Sequence, residues 1–180
     1  MEKIFSTKER LRVLEAVIFR QDRVSVNETS GRLRLSKGFV SKYLDFLARA
    51  GIAKRHNGKF AILGSSPLAK GIKILLNLRR FPAGIVKKCP FVIAAGLYGS
   101  CAKGENLEES DMDIWIRIGK VDEKEQAALT SELNKKVGNA KILFLADGKL
   151  EQMKKQDELF YHALSFGSIT VYGASDALQL

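Results

Sequence analysis

The sequence predicts an α+β protein in two parts, and three observations carry the prediction. Three stretches with helical spacing of apolar residues lead into an Asn57-Gly58 pair flanked by short strand-like runs. Residues 111–118 alternate strictly between two kinds of side chain, the period of a strand and not of a helix. The charge is also unevenly placed along the 180 residues. Residues 1–81 hold 18 Lys/Arg against 6 Asp/Glu, a net +12, whereas residues 82–180 hold 12 against 14, a net −2, within an overall +10. A basic module joined to a nearly neutral one is the arrangement this implies. The expected divisions are a first domain over 1–64, a linker helix region over 65–88, and a second domain over 89–180.

In the first part, Ser6 and Glu9 match a capping box, and Leu11, Leu14, Val17 and Ile18 follow at helical spacing, predicting a helix over 7–20. Ser25 with Glu28 repeats the box and opens a second helix ending near Leu33. Ser36 opens a third, with Val40, Leu44 and Leu47 on one face and Gly51 just past its end. Asn57-Gly58 then predicts a hairpin over 52–63, because both turn positions need positive φ.

Three helices followed by a hairpin resemble the winged helix-turn-helix family, with residues 30–51 matching the helix-turn-helix core. The resemblance implies duplex DNA as a partner, with the third helix in the major groove. Lys37, Ser41 and Lys42 would face the bases, with Arg49 further along. Arg32, Arg34 and the wing residues Lys54, Arg55, His56 and Lys59 would meet phosphates. Modules of this kind also bind proteins or pair with each other, and charge alone does not choose between these roles.

Ser66 and Pro67 suit a helix start, and residues 68–79 place Leu68, Ile72, Leu75 and Leu76 inward. Phe81-Pro82 ends that helix, and 83–88 form a short helix or connector. Residues 91–97 form an almost uncharged run, expected to be a buried strand that turns into a helix at Gly99-Ser100. There, backbone N–H groups and a hydroxyl suit a phosphate.

On the alternating strand, Met112, Ile114, Ile116 and Ile118 take one face, and Asp111, Asp113, Trp115 and Arg117 take the other, away from the core. Two neighbouring carboxylates repel, and folding does not ask for them; a hard divalent cation does. Trp115 either borders a bound base or covers a neighbouring helix. Further along, the spacing predicts a helix over 122–137, a strand over 141–146, helices over 149–155 and 158–165, and a strand over 169–173. The last seven residues are expected to be a loose tail.

Gly99-Ser100, ten intervening residues and Asp111-Met112-Asp113 resemble the signature of the minimal nucleotidyltransferases of the DNA polymerase β superfamily. Ala102, Gly104 and Ser110 fit it too, as does the ending Ile169-Thr170-Val171-Tyr172-Gly173. The resemblance implies a nucleotidyltransferase-fold mixed sheet with helices. It also implies nucleotide binding by Gly99 and Ser100, and catalysis through Mg²⁺ or Mn²⁺ held by Asp111 and Asp113. The substrate would be an NTP, ATP among them, and the acceptor a hydroxyl of a protein, an RNA or a small molecule.

Active members usually carry a third carboxylate on the adjacent strand, here 141–146, where this chain has none. The nearest is Asp147, which either takes that role or caps the next helix. Two readings follow. One is an Mg-dependent nucleotidyltransferase with a DNA-binding winged helix, which could modify a partner protein as in antitoxin-type pairs. The other is a DNA-binding transcriptional regulator whose degenerate second domain senses nucleotide or forms a dimer interface.

Composition narrows the class further. No apolar run approaches the ~20 residues that span a bilayer, so no membrane contact and a cytoplasmic location are expected. Only Cys89 and Cys101 occur, and neither a disulfide framework nor a zinc site is indicated. A packing role is expected for Cys101.

Overall fold

The computed structural model describes residues 4–178. These form two compact units, Met1–Leu76 with Gly104–Glu109, and Asn77–Lys103 with Ser110–Leu180, so the division falls inside one helix.

In the first unit, α1 (Lys8–Val17), α2 (Val26–Leu33) and α3 (Lys37–Arg49) precede a hairpin of β1 (Ala53–His56) and β2 (Lys59–Ile62). Thr7, not Ser6, caps α1: its hydroxyl accepts the Arg10 N–H at 3.2 Å, while Ser6 Oγ accepts from the Arg10 guanidinium. Thr7, directly before Lys8, has the extended backbone a cap requires, so the box is displaced by one residue. Ser25 and Ser36 occupy the cap positions expected of them, but only Ser36 closes the side-chain bond, to Phe39 N–H. Gly51 ends α3 with φ +72°, and Asn57 and Gly58 turn the hairpin with φ +48° and +73°. Val24 bridges to Phe60, tying the segment before α2 to the hairpin. Val13, Leu14, Val17, Val40, Leu44, Leu47 and Phe60 are buried together.

The helix α4 (Pro67–Arg80) starts at Pro67 as expected, but its buried stripe differs from the apolar one. Ala69, Ile72 and Leu76 are buried, and so are Lys73 and Asn77, whereas Leu75 is 56% exposed. The polar pair tolerates burial because it is bonded. Lys73 Nζ donates to the Asn106 carbonyl at 2.8 Å and lies 5.7 Å from the Phe19 ring centre. Asn77 donates to the Cys101 carbonyl at 2.9 Å. Residues 104–109 join the first unit through the Lys73–Asn106 bond and through Lys70–Glu105 at 2.6 Å and Arg32–Glu108 at 3.7 Å.

The second unit continues with α5 (Ala83–Val86), β3 (Val92–Leu97), α6 (Gly99–Lys103), β4 (Met112–Ile118), α7 (Glu123–Val137), β5 (Ala140–Leu145), α8 (Asp147–Gln156), α9 (Glu158–Gly167) and β6 (Ile169–Tyr172). Its sheet runs β5-β4-β3-β6, with β4 and β5 parallel and the other pairs antiparallel, so it is a mixed sheet. Met112, Ile114, Ile116 and Ile118 pack with Val86, Leu129 and Leu133 on one face. The other face is covered too. Trp115 is fully buried there with Leu150, Tyr161, Leu164, Ala177 and Leu178. Trp115 is therefore a core residue. The expected loose tail is also corrected: Ala177 and Leu178 are buried, and Ala177 O accepts from Arg117 at 2.7 Å. Residues 179–180 of that tail lie outside the described residues.

Candidate functional site

The Gly99-Ser100 turn follows β3 directly, and antiparallel pairing carries it to the start of β4. Leu97 pairs with Ile114, and Tyr98 N–H donates to the Asp113 carbonyl at 3.1 Å. Gly99 takes φ +60°, and a Cβ added there would lie 2.6 Å from Asp113 Oδ2. A side chain there would have to displace the Asp113 carboxylate, and the left-handed backbone favours glycine as well. The Ser100 N–H bonds to the same carboxylate. Asp113 is thus seated against the turn from which the sequence separates it by twelve residues.

Asp111 lies just before β4 and is exposed, its carbonyl accepting from Cys101 Sγ at 3.5 Å. Among the described residues, neither aspartate has a lysine or arginine within ion-pair distance. Partial burial pushes the Asp113 carboxyl above its ordinary range. The positive charge of Lys141 and the Ser100 N–H oppose that rise, and the negative charge of Asp111 adds to it. Burial likewise raises the Cys101 and Cys89 thiols, so both are packing groups and not activated nucleophiles.

Asp147 is not brought to the pair. It is the first residue of α8, whose cap position is Ala146, and its carboxylate accepts from Arg117 Nη2 at 2.8 Å and Nε at 3.3 Å. Arg117 lies four strand positions beyond Asp113, roughly 13 Å along β4. Among the described residues, no group of three or more His, Cys, Asp or Glu could hold a metal ion together.

The residue that sequence reasoning missed is Lys141. It pairs in parallel register directly with Asp113, and the next same-face pair is Trp115 with Leu143. Alternation within β5 was visible in the sequence; the register that sets Lys141 opposite Asp113 was not.

On the first unit, Lys37 begins α3 and is exposed, as are Lys42 on the same helix and Lys59 on the hairpin; Ser41 is half-buried. Arg55 is exposed but already engaged. Its guanidinium pairs with Asp45 of α3 at 3.1 Å and lies 5.6 Å from the Phe60 ring centre.

The family model described as "Polymerase beta, Nucleotidyltransferase" matches residues 83–176, just over half of the chain. No curated protein compared with the chain matches it. Among solved structures, the chain is similar to a mutant of the MntA-HpeT toxin-antitoxin at 15% identity, covering 61% of this chain and 76% of that one. The TM-score is 0.37, and at that level the likeness carries no weight for function.

Proposed function

The chain belongs to the polymerase beta nucleotidyltransferase family, and from that premise we propose a divalent-metal-dependent transfer of a nucleotide from an NTP to an acceptor hydroxyl. The observation that supports this most is the seating of Asp113 on the Gly99-Ser100 turn, with Asp111 beside it and neither carboxylate neutralised by an ion pair among the described residues. Two neighbouring carboxylates, Asp113 on β4 and Asp111 just before it, are the oxygen donors that suit Mg²⁺ or Mn²⁺ when a triphosphate supplies further oxygens. The fit is to one such ion, since no third carboxylate joins the pair among the described residues.

In this reading Asp111 and Asp113 hold the ion, which would neutralise charge developing on the transferred phosphoryl group. Gly99 lets the Asp113 carboxylate rest against the turn, where the Ser100 N–H holds it, and Ser100 offers its hydroxyl to phosphate oxygens. The raised carboxyl of Asp113 makes metal holding fade at a higher pH than for an ordinary aspartate. Incubation with labelled ATP, GTP, CTP and UTP and candidate protein, RNA and small-molecule acceptors tests the proposal. Label transfer that is lost in Asp111→Asn and Asp113→Asn supports it. Absence of transfer, with nucleotide binding unchanged in those variants, removes it.

The first unit is read as a winged helix that binds duplex DNA. Support comes from the order of three helices and a hairpin, from the +12 charge over residues 1–81, and from the exposure of Lys37, Lys42 and Lys59. Each phosphate contact removed should lower the slope of log affinity against log salt by about 1. Gel-shift titration at two salt concentrations checks this with Lys37→Ala and Lys42→Ala.

A second reading is favoured by one observation. Lys141 stands in register with Asp113 on the strand where a third carboxylate would complete the acidic set. On this reading the protein is a DNA-binding regulator whose second unit binds nucleotide without transferring it. Metal-dependent nucleotide binding in the absence of any label transfer is its signature.

A further inference from the structure

Among the described residues, Lys141 is the cation that the sheet delivers to the acidic pair. Its partner in parallel register is Asp113, and adjacent strands lie about 4.8 Å apart. The neighbouring same-face residues Trp115 and Leu143 pack into one cluster, which fixes the side of the sheet from which Lys141 projects. That is the side on which Asp113 rests against Gly99. Yet Lys141 is exposed and closes no ion pair with Asp113 or Asp111 among the described residues. A lysine whose task was to neutralise Asp113 would have closed that pair, as Arg117 does with Asp147 at 2.8 Å.

The charges of the reactants indicate what remains for it to do. A triphosphate approaching two carboxylates meets strong repulsion, and one divalent ion cancels only part of it. An ammonium at the rim of the pair supplies further positive charge without requiring a second ion. We propose that Lys141 is a phosphate-binding residue, whose ammonium donates to the triphosphate oxygens of a nucleotide held at Asp111, Asp113 and Gly99-Ser100. This rests on the nucleotidyltransferase reading and assigns to it a residue that the acidic-pair signature does not contain. Lysine acts here as a point charge and not as a fixed fork, so arginine can stand in for it.

The probes are Mn²⁺ alone, followed by electron paramagnetic resonance, and Mn²⁺-tripolyphosphate, followed by calorimetry. Lys141→Ala should bind Mn²⁺-tripolyphosphate about tenfold more weakly, the scale of one lost charge-assisted hydrogen bond. Lys141→Arg should stay close to wild type. Mn²⁺ alone should bind Lys141→Ala at least as tightly as wild type, because a like charge has been removed. These opposite responses separate phosphate binding from damage to the fold, which would weaken both.

Equal binding of Mn²⁺-tripolyphosphate by Lys141→Ala and wild type overturns the inference while leaving the acidic pair in place. So does a parallel loss of Mn²⁺ alone. If instead Asp113→Asn binds Mn²⁺ as wild type does, the carboxylate site itself fails, and the Lys141 assignment fails with it.

Discussion

The two ends of β4 carry the same chemistry and treat it in opposite ways. Toward Ile118, Asp147 at the start of α8 meets Arg117 in two hydrogen bonds, and the same guanidinium holds the Ala177 carbonyl. Both charges of that pair are matched. Toward Met112, Asp111 and Asp113 stand together with no ion pair among the described residues, one of them partly buried against a turn. Clustered carboxylates without a countercharge cost folding free energy, whereas the Arg117–Asp147 pair costs little and the same arginine holds the Ala177 carbonyl. A fold that keeps the expensive arrangement beside the inexpensive one is holding the first for something other than stability. Substitutions at the two ends should therefore fail in different currencies: activity at one, stability at the other.

The largest expected effect is at Asp113. Asp113→Asn keeps the size and the oxygen that accepts from Ser100, and removes the charge. Nucleotide transfer should fall by at least about 10³-fold, since metal-assisted charge stabilisation amounts to several kcal/mol and each factor of ten corresponds to about 1.4 kcal/mol.

Stability should move the other way. The folded Asp113 carboxyl is raised above its unfolded range, so the folded chain binds more protons between the two values. This aspartate therefore lowers stability progressively as pH rises through that window, and its cost is complete above the folded value. Asp113→Asn should melt at or above the wild-type temperature at pH 7, with the difference closing below the ordinary carboxylate range. Thermal melts across pH check the sign. A lower melting temperature for the variant at pH 7 would erase the contrast between the two ends of the strand.

Gly99→Ala comes next. Its methyl would enter the space of Asp113 Oδ2, and alanine at φ +60° costs about 1–2 kcal/mol of backbone strain. Displacing the carboxylate should reduce transfer by about 10²-fold, the scale of a misplaced catalytic group. Transfer assays with melting curves separate the two effects. Wild-type transfer in this variant would mean that the close approach of turn and carboxylate is incidental.

Much of this contrast was legible in the residues themselves, where the determinants are local. Alternation alone placed Asp113 on the strand face opposite Met112, Ile114, Ile116 and Ile118, although Asp111 falls just before the strand, and Asn57-Gly58 alone placed the hairpin, because each depends on a few consecutive backbone angles. What could not be read depends on pairing between distant segments. Lys141 faces Asp113 only through the parallel register of β4 and β5. Trp115 sits on the polar-looking face of its strand, yet it is buried by α8, α9 and residues 177–178, which arrive more than thirty positions later. On α4 an apolar pattern favoured Leu75, but the stripe that is buried includes Lys73 and Asn77, whose partners lie on other segments. A hydrophobic count has no means of crediting a polar side chain with a bond it makes elsewhere.

The smallest expected effect belongs to the neutralised end and is the sharpest check on the comparison. Asp147 is 70% exposed in its side chain and Arg117 22%, so the pair contributes about 0–1 kcal/mol. Asp147→Asn should lower the melting temperature by no more than a few degrees and leave nucleotide transfer indistinguishable from wild type. The reasoning is geometric, since the strand keeps Arg117 and its partner roughly 13 Å from Asp113. A collapse of transfer in Asp147→Asn with an unchanged melt would mean that α8 moves when substrate arrives and that Asp147 exchanges Arg117 for the acidic pair. The site would then be completed by a third acid, and the division between a structural end and a chemical end of β4 would hold only for the free protein.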